Sequence, residues 1–147
     1  MANSGLRPNE ARQLRWQDVR TEKDADKKIV LVVEVAEATK TGARTVVCRD
    51  GTHIYVDRLR KISGHTATDD FVFGNRDGKP VENFGKSFEA VLSRLNLLND
   101  RQDKRRTIYS LRHFYCTQSL LSDVPIHTLA RNMGTSISYI EQHYSHV

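Results

Sequence analysis

The sequence predicts a mixed α+β domain, mostly helical, with a small antiparallel sheet near its N-terminus. Three observations predict it. Two β-branched, apolar runs, at 29–35 and 44–48, flank the turn signal Thr39-Lys40-Thr41-Gly42, which reads as a β-hairpin. Apolar residues recur at helical spacing through most of the chain after position 83. The length of 147 residues, with no repeat, low-complexity tract or Pro/Gly-rich linker, fits one domain. A chain of this size buries roughly 70% of the surface its unfolded form exposes, enough for a real core.

The elements follow in order. Pro8 suits the first turn of a short helix, with Ala11 and Leu14 facing inward and Trp16 closing that face. Residues 21–28 are polar and charged and read as a turn. Residues 29–35 form a buried strand, and 44–48 its hairpin partner, with Lys40 at or near the tip. Residues 54–62 fit a short helix, and 71–73 a brief strand closed by a turn at 75–78. Residues 83–97 place Phe84, Phe88, Val91, Leu92 and Leu95 on one helical face. Residues 99–106 are a charged loop ending in Lys104-Arg105-Arg106. A helix over 110–121 takes Ser110 as its N-cap and buries Leu111, Phe114 and Leu120. Pro125 opens another helix, which Gly134 stops. Residues 136–144 form the last.

Lys and Arg total 23 against 18 for Asp and Glu, a formal charge of +5, which favours an anionic partner. No apolar run approaches the 18 or so residues that cross a bilayer, and no secretory signal is visible. Cys48 and Cys116 form no CxxC pair, so free packing thiols in a reducing compartment are expected. His143 and His146 stand at i,i+3 without a third or fourth ligand nearby in sequence, so no metal site is expected.

The chemistry-bearing residues lie at the two ends and in the hairpin. Arg7 sits in Gly5-Leu6-Arg7-Pro8-Asn9-Glu10, Arg112 in Ser110-Leu111-Arg112-His113, and Tyr144 in Tyr144-Ser145-His146. Two arginines, a lysine and a tyrosine suffice for metal-free cutting of a phosphodiester. Guanidiniums clamp the non-bridging oxygens where charge builds, and a phenol oxygen attacks phosphorus and holds the strand covalently. Taken singly, each residue has a plainer reading. Arg7 fits an ion pair with Glu10 one turn on. Lys40 fits a solvated turn tip, and Tyr144 a packing cluster with Tyr139 and His143. His113 fits a structural hydrogen bond donated within the core. Arg12, Arg15, Arg44, Lys104, Arg105 and Arg106 fit backbone-phosphate contacts or a solvated charged face equally well.

Taken together, these segments resemble the catalytic domain of the tyrosine recombinases, the phage integrase family. The opening from Gly5 through Leu14-Arg15-Trp16-Gln17-Asp18-Val19 is similar to that family's first-arginine motif. Thr39-Lys40-Thr41-Gly42-Ala43-Arg44 is similar to its lysine hairpin, and Ser110-Leu111-Arg112-His113 to its second-arginine motif. Met133-Gly134-Thr135-Ser136 followed by Tyr144-Ser145-His146 is similar to its tyrosine segment. The four stand in the family's order with compatible gaps, and they span 5–147.

The resemblance implies site-specific recombination of double-stranded DNA without metal, ATP or other cofactor. Arg7 and Arg112 would grip the scissile phosphate, Tyr144 would form a 3′-phosphotyrosine, and Lys40 would protonate the leaving 5′-oxygen. Glu10 itself reads as an orienter of its neighbours or a surface carboxylate rather than a catalyst. Two departures stand out. Tyr109 occupies the place of a histidine three residues before the second arginine. Thr135 occupies that of a histidine or tryptophan nine residues before the nucleophile. Both can hydrogen-bond a phosphate oxygen, but a phenol with a pKa near 10 accepts a proton less well than imidazole near 6.5. The departures keep open a non-catalytic DNA-binding module on the same scaffold, and the shared chemistry keeps open a type IB topoisomerase-like enzyme. The resemblance also implies a tetramer on two duplexes for an intact enzyme and a bacterial or phage protein at the cytoplasmic nucleoid. This stretch reads as a monomeric catalytic fragment lacking an N-terminal DNA-binding domain and the first helices.

Overall fold

The computed structural model describes residues 1–36 and 42–144. Its order is α1 (Pro8–Gln13), a 3-10 turn (Trp16–Asp18), β1 (Val19–Lys23), β2 (Ile29–Val35), β3 (Arg44–Val47), α2 (Thr52–Ile62), α3 (Gly85–Arg94), α4 (Tyr109–Leu121), α5 (Ile126–Met133) and α6 (Ile137–Tyr144). This is the expected α+β class, with the sheet early and helices after it. The hairpin tip at 39–41, with Lys40, lies outside the described residues, as do Ser145, His146 and Val147.

The sheet is antiparallel in the order β1-β2-β3. Val19 pairs with Val33 across the first ladder, and Val33 with Val46 across the second. Leu31, Val33 and Val35 on β2, with Val46, join Leu6, Leu14, Trp16, Cys48 and Val72 in one apolar core. A second core gathers Tyr115 and Cys116 of α4, Leu129, Ala130 and Met133 of α5, and Ile140 and Tyr144 of α6.

Asn132 of α5 joins the two halves. Its Oδ1 accepts from the Val47 N–H at 2.8 Å, and its Nδ2 donates to the Val47 carbonyl at 3.1 Å and to the Tyr115 hydroxyl at 2.6 Å. A side-chain amide thus satisfies the open edge of β3 as another strand would.

The structure revises several expectations. Residues 21–23 belong to β1, not to a turn. Only Val19 of that strand is partly buried, so an edge strand held by its ladder carries no apolar alternation to read. Residues 71–73 are not a strand. Phe71 makes an isolated bridge to Arg15, and the next bridge joins Gly74 to Pro80, so no continuous partner exists. The predicted face of α3 is mostly open, with Leu92 buried but Val91 54% and Leu95 59% exposed. On α4 the buried stripe is Arg112, Tyr115, Cys116 and Ser119, and Phe114 faces solvent. That stripe has helical spacing, but its two polar members hide it from a hydrophobic pattern. Nor does Ser110 cap the helix from outside. The helix begins at Tyr109, and the Ser110 hydroxyl accepts from the Thr107 N–H at 3.1 Å.

Candidate active site

The site is built around the C-terminus of α5. A helix end leaves its last carbonyls without intrahelical donors and carries partial negative charge. Here three successive carbonyls each receive a different arginine. Arg44 Nε donates to Asn132 O at 3.1 Å, Arg112 Nη1 to Met133 O at 2.9 Å, and Arg7 Nη2 to Gly134 O at 2.8 Å. Gly134 makes this approach sterically tolerable. Its φ is +64°, and an added Cβ would lie 2.8 Å from the Arg44 Cζ. The helix stop read from the sequence is therefore also a docking point for the arginines.

Glu10 fixes two of them. Its side chain is 3% exposed and accepts Arg7 Nη1 at 3.1 Å. Arg44 binds it through both oxygens, at 3.0 and 2.8 Å. The Arg7 backbone N–H donates to the same carboxylate at 2.8 Å, closing the first turn of α1. Burial alone would raise the Glu10 pKa. The Arg44 hydrogen bond, the Arg7 backbone N–H and the two guanidiniums outweigh burial and hold it below the ordinary carboxylate value. The plainer reading of Arg7, an ion pair with Glu10, is thus present, and it does not occupy the whole guanidinium.

Arg112 is buried on the first turn of α4. Nη1 bridges the Gly5 and Met133 carbonyls. Among the described residues no carboxylate pairs with it, and neither Nε nor Nη2 has a hydrogen-bond partner. Burial and the charge of Arg7 push its pKa down to about 10, so it remains cationic at neutral pH but inadequately compensated. A buried cation in that state favours an anionic ligand.

Arg7, Tyr109, Arg112, His113, Met133, Thr135, Tyr139 and Tyr144 line one cleft of about 240 Å³. Tyr144 enters it from the end of α6, which packs on α5 through Ile140. The phenol is buried, and burial first, then Cys116 and Tyr139, push its pKa above the ordinary value. It is a neutral O–H at pH 7. Its oxygen is hydrogen-bonded to His113 Nδ1. His113 is thus bonded to a residue of the second core, and its tautomer decides which group donates. It stands at the exposed rim of α4, and burial, Arg112 and His143 lower its pKa. Tyr139 is half-exposed, and its ring lies 4.2 Å from that of His143 between centroids, tilted by 55°.

The surface arginines divide. Arg44, expected to be a candidate phosphate contact, is enclosed, with its side chain 7% exposed. Arg12 donates to the Val81 carbonyl at 2.7 Å, and Arg106 to that of Leu97 at 2.7 Å. Arg15 bonds the Asp69 carbonyl and lies 4.3 Å over the Phe71 ring. Arg105 pairs with Glu89 at 2.7 Å on the surface, and Lys104 is exposed. Asn132 and Gly134 are the supports that sequence reasoning missed as parts of the site. Only Gly134 carried a signal, as a helix stop. No group of three or more metal-ligating side chains occurs among the described residues, and no helix there is long and apolar enough to cross a membrane.

A search of curated proteins finds no match. Among solved structures, XerA recombinase superposes with a TM-score of 0.72 at 19% identity, over 99% of this chain and 49% of that one. XerH site-specific recombinase bound to difH substrate, in a pre-cleavage complex, gives 0.71 at 19% identity over 95% of this chain and 39% of that one. The Tn1549 transposon integrase in complex with transposon right end DNA gives 0.70 at 17% identity over 99% and 52%. The chain thus spans about half the length of these proteins or less, and at such identities the likeness is one of fold. The model of the phage integrase family matches residues 1–147. The chain belongs to the phage integrase family, the tyrosine recombinases.

Proposed function

We propose that this chain cuts and rejoins double-stranded DNA at specific sites through a covalent 3′-phosphotyrosine at Tyr144. The observation that carries this reading is the meeting of Arg7, Arg112 and Tyr144 in one cleft, from opposite ends of the chain. Membership of the phage integrase family and the DNA complexes of the similar recombinases support it.

The scissile phosphate enters the cleft and takes hydrogen bonds from the open donors of Arg112 and from Arg7. Planar guanidiniums match paired phosphate oxygens and stabilise the charge that builds there. Tyr144 Oη attacks phosphorus, the P–O5′ bond breaks, and the departing 5′-oxygen takes a proton from Lys40. A 5′-hydroxyl on a partner strand reverses the step. The bond energy stays in the phosphotyrosine, so neither ATP nor metal is called for. Glu10 and Arg44 act behind Arg7, holding its guanidinium toward the cleft. Tyr109 and Thr135 offer hydroxyls to the phosphate oxygens. Lys104, Arg105, Arg12, Arg15 and Arg106 contribute backbone-phosphate contacts around the rim. In the assembled enzyme four protomers act on two duplexes, in the cytoplasm of a bacterium.

Covalent capture tests this. The chain is incubated with a pool of nicked duplexes of random sequence, in which the short cleaved product diffuses away. Adducts are recovered under denaturing conditions and sequenced. A band that disappears in Tyr144→Phe, with enrichment of one sequence, is expected. Specific binding without any adduct would identify a binding module instead. Plasmid relaxation with no site requirement would identify a topoisomerase-like enzyme.

A further inference from the structure

Strand cleavage leaves one proton unassigned. Tyr144 is neutral at pH 7, its pKa is raised, and it must lose its proton as Oη bonds to phosphorus. The position three residues before Arg112 holds Tyr109, and a phenol accepts a proton less readily than an imidazole. We infer that His113, the residue after Arg112, is the group that takes the Tyr144 proton. This rests on the strand-cleavage reading above.

His113 Nδ1 and Tyr144 Oη are hydrogen-bonded across α4 and α6, and their rings lie 5.8 Å apart at 36°. The Cys116 thiol also faces the phenol, but sulfur is a weak acceptor beside an imidazole nitrogen, so with both groups neutral we assign the phenol proton to Nδ1 and the ring's own hydrogen to Nε2. The lowered pKa of His113 keeps the acceptor lone pair available at neutral pH. His113 sits at the exposed rim, so the imidazolium formed on attack is solvated rather than trapped. The same helix turn carries Arg112 toward the phosphate, so one element aligns the clamp and the acceptor.

The step balances. The Oη–H bond breaks and the proton moves to Nδ1, Oη bonds to phosphorus, and P–O5′ breaks. O5′ takes its proton from Lys40. Rejoining returns one proton from His113 to Oη and the other to Lys40. The charged or titrating groups that face His113 are Arg112 on its own helix, Arg7 before α1, and Tyr139, His143 and Tyr144 on α6, with Tyr109 on the same cleft wall.

The test uses His113→Asn, which keeps a hydrogen-bond acceptor near the Nδ1 position but takes no proton at neutral pH. Adduct formation is timed on a captured duplex and on the same duplex with sulfur in place of the bridging 5′-oxygen, a leaving group that departs unprotonated. Lys40→Ala is expected to be slow on the oxygen duplex and restored by sulfur. His113→Asn is expected to be about 100-fold slower on both and to lose the acid limb of the rate profile. Its thermal midpoint should match the wild type. Wild-type rates for His113→Asn, or its rescue by sulfur, would overturn the inference while leaving strand cleavage standing. If the wild type formed no Tyr144-dependent adduct, the cleavage reading would fall, and this inference with it. A second readout needs no DNA. Tyr144→Phe removes a donor to neutral imidazole and should raise the His113 pKa measured by NMR titration. An unchanged value would contradict the hydrogen bond.

Discussion

Arg7 Nη2 and Arg112 Nη1 cap adjacent carbonyls, Gly134 at 2.8 Å and Met133 at 2.9 Å, at the end of α5. One helix terminus thus sets the spacing between two guanidiniums supplied from opposite ends of the chain. The site depends on α5 as much as on the arginines themselves, and the predictions follow from that dependence.

Glu10→Gln leaves Arg44 buried without the Glu10 charge and removes one of the contacts that hold Arg7. Breaking such a pair costs about 3–5 kcal/mol, readable by urea denaturation. The pH response has a definite sign. The Glu10 pKa is lowered by folding, so its stabilisation is complete above the unfolded carboxylate value and lost as pH falls through the folded one. The wild type should therefore lose stability on acidification below about pH 4.3 more steeply than Glu10→Gln. Equal slopes would show that Glu10 is not held ionised.

Gly134→Ala forces a side chain into a left-handed backbone position and against the Arg44 guanidinium. The backbone alone costs about 1–2 kcal/mol. Thermal denaturation should show at least that loss, and adduct formation should fall with it because the shifted backbone displaces the carbonyl that anchors Arg7. A stability change near zero would mean that the Arg44 approach is not tight.

Arg112→Lys keeps the charge but loses the planar fork that reaches two carbonyls and a phosphate together. Adduct formation is expected to fall about 100- to 1,000-fold, with helical content retained by circular dichroism. Activity within a factor of a few would make Arg112 a structural cation only.

Lys104 is exposed, and among the described residues its side chain makes no hydrogen bond or close ion pair, only a longer-range interaction with Asp100. Lys104→Ala should weaken DNA binding across sequences alike and lower the slope of log affinity against log salt by about 1. A sequence-selective loss would instead place Lys104 at a base edge.

What the sequence made legible was local or motif-borne. Pro8, the apolar run of β2, Pro125 and Gly134 each act within a few residues, and each marked its element correctly. The four segments carrying Arg7, Lys40, Arg112 and Tyr144 were visible because their residue types are chemically constrained. The rest depends on neighbours distant in sequence. Val91 and Leu95 repeat at helical spacing, yet nothing local says whether another element covers them. Arg44 looks like any hairpin arginine until α1 brings Glu10 against it and α5 brings Asn132 O. The hydrogen bond between His113 and Tyr144 forms because α5 carries α6 back beside α4, which no spacing encodes.

The central claim is that Tyr144 is the atom source of the covalent link, held beside two arginines. Mass spectrometry of the peptide from a captured protein–DNA adduct tests it most directly. A nucleotide 3′-phosphate on Tyr144 is expected, with no adduct in Tyr144→Phe. An adduct on Tyr139 or any other residue, or one that survives Tyr144→Phe, would contradict it.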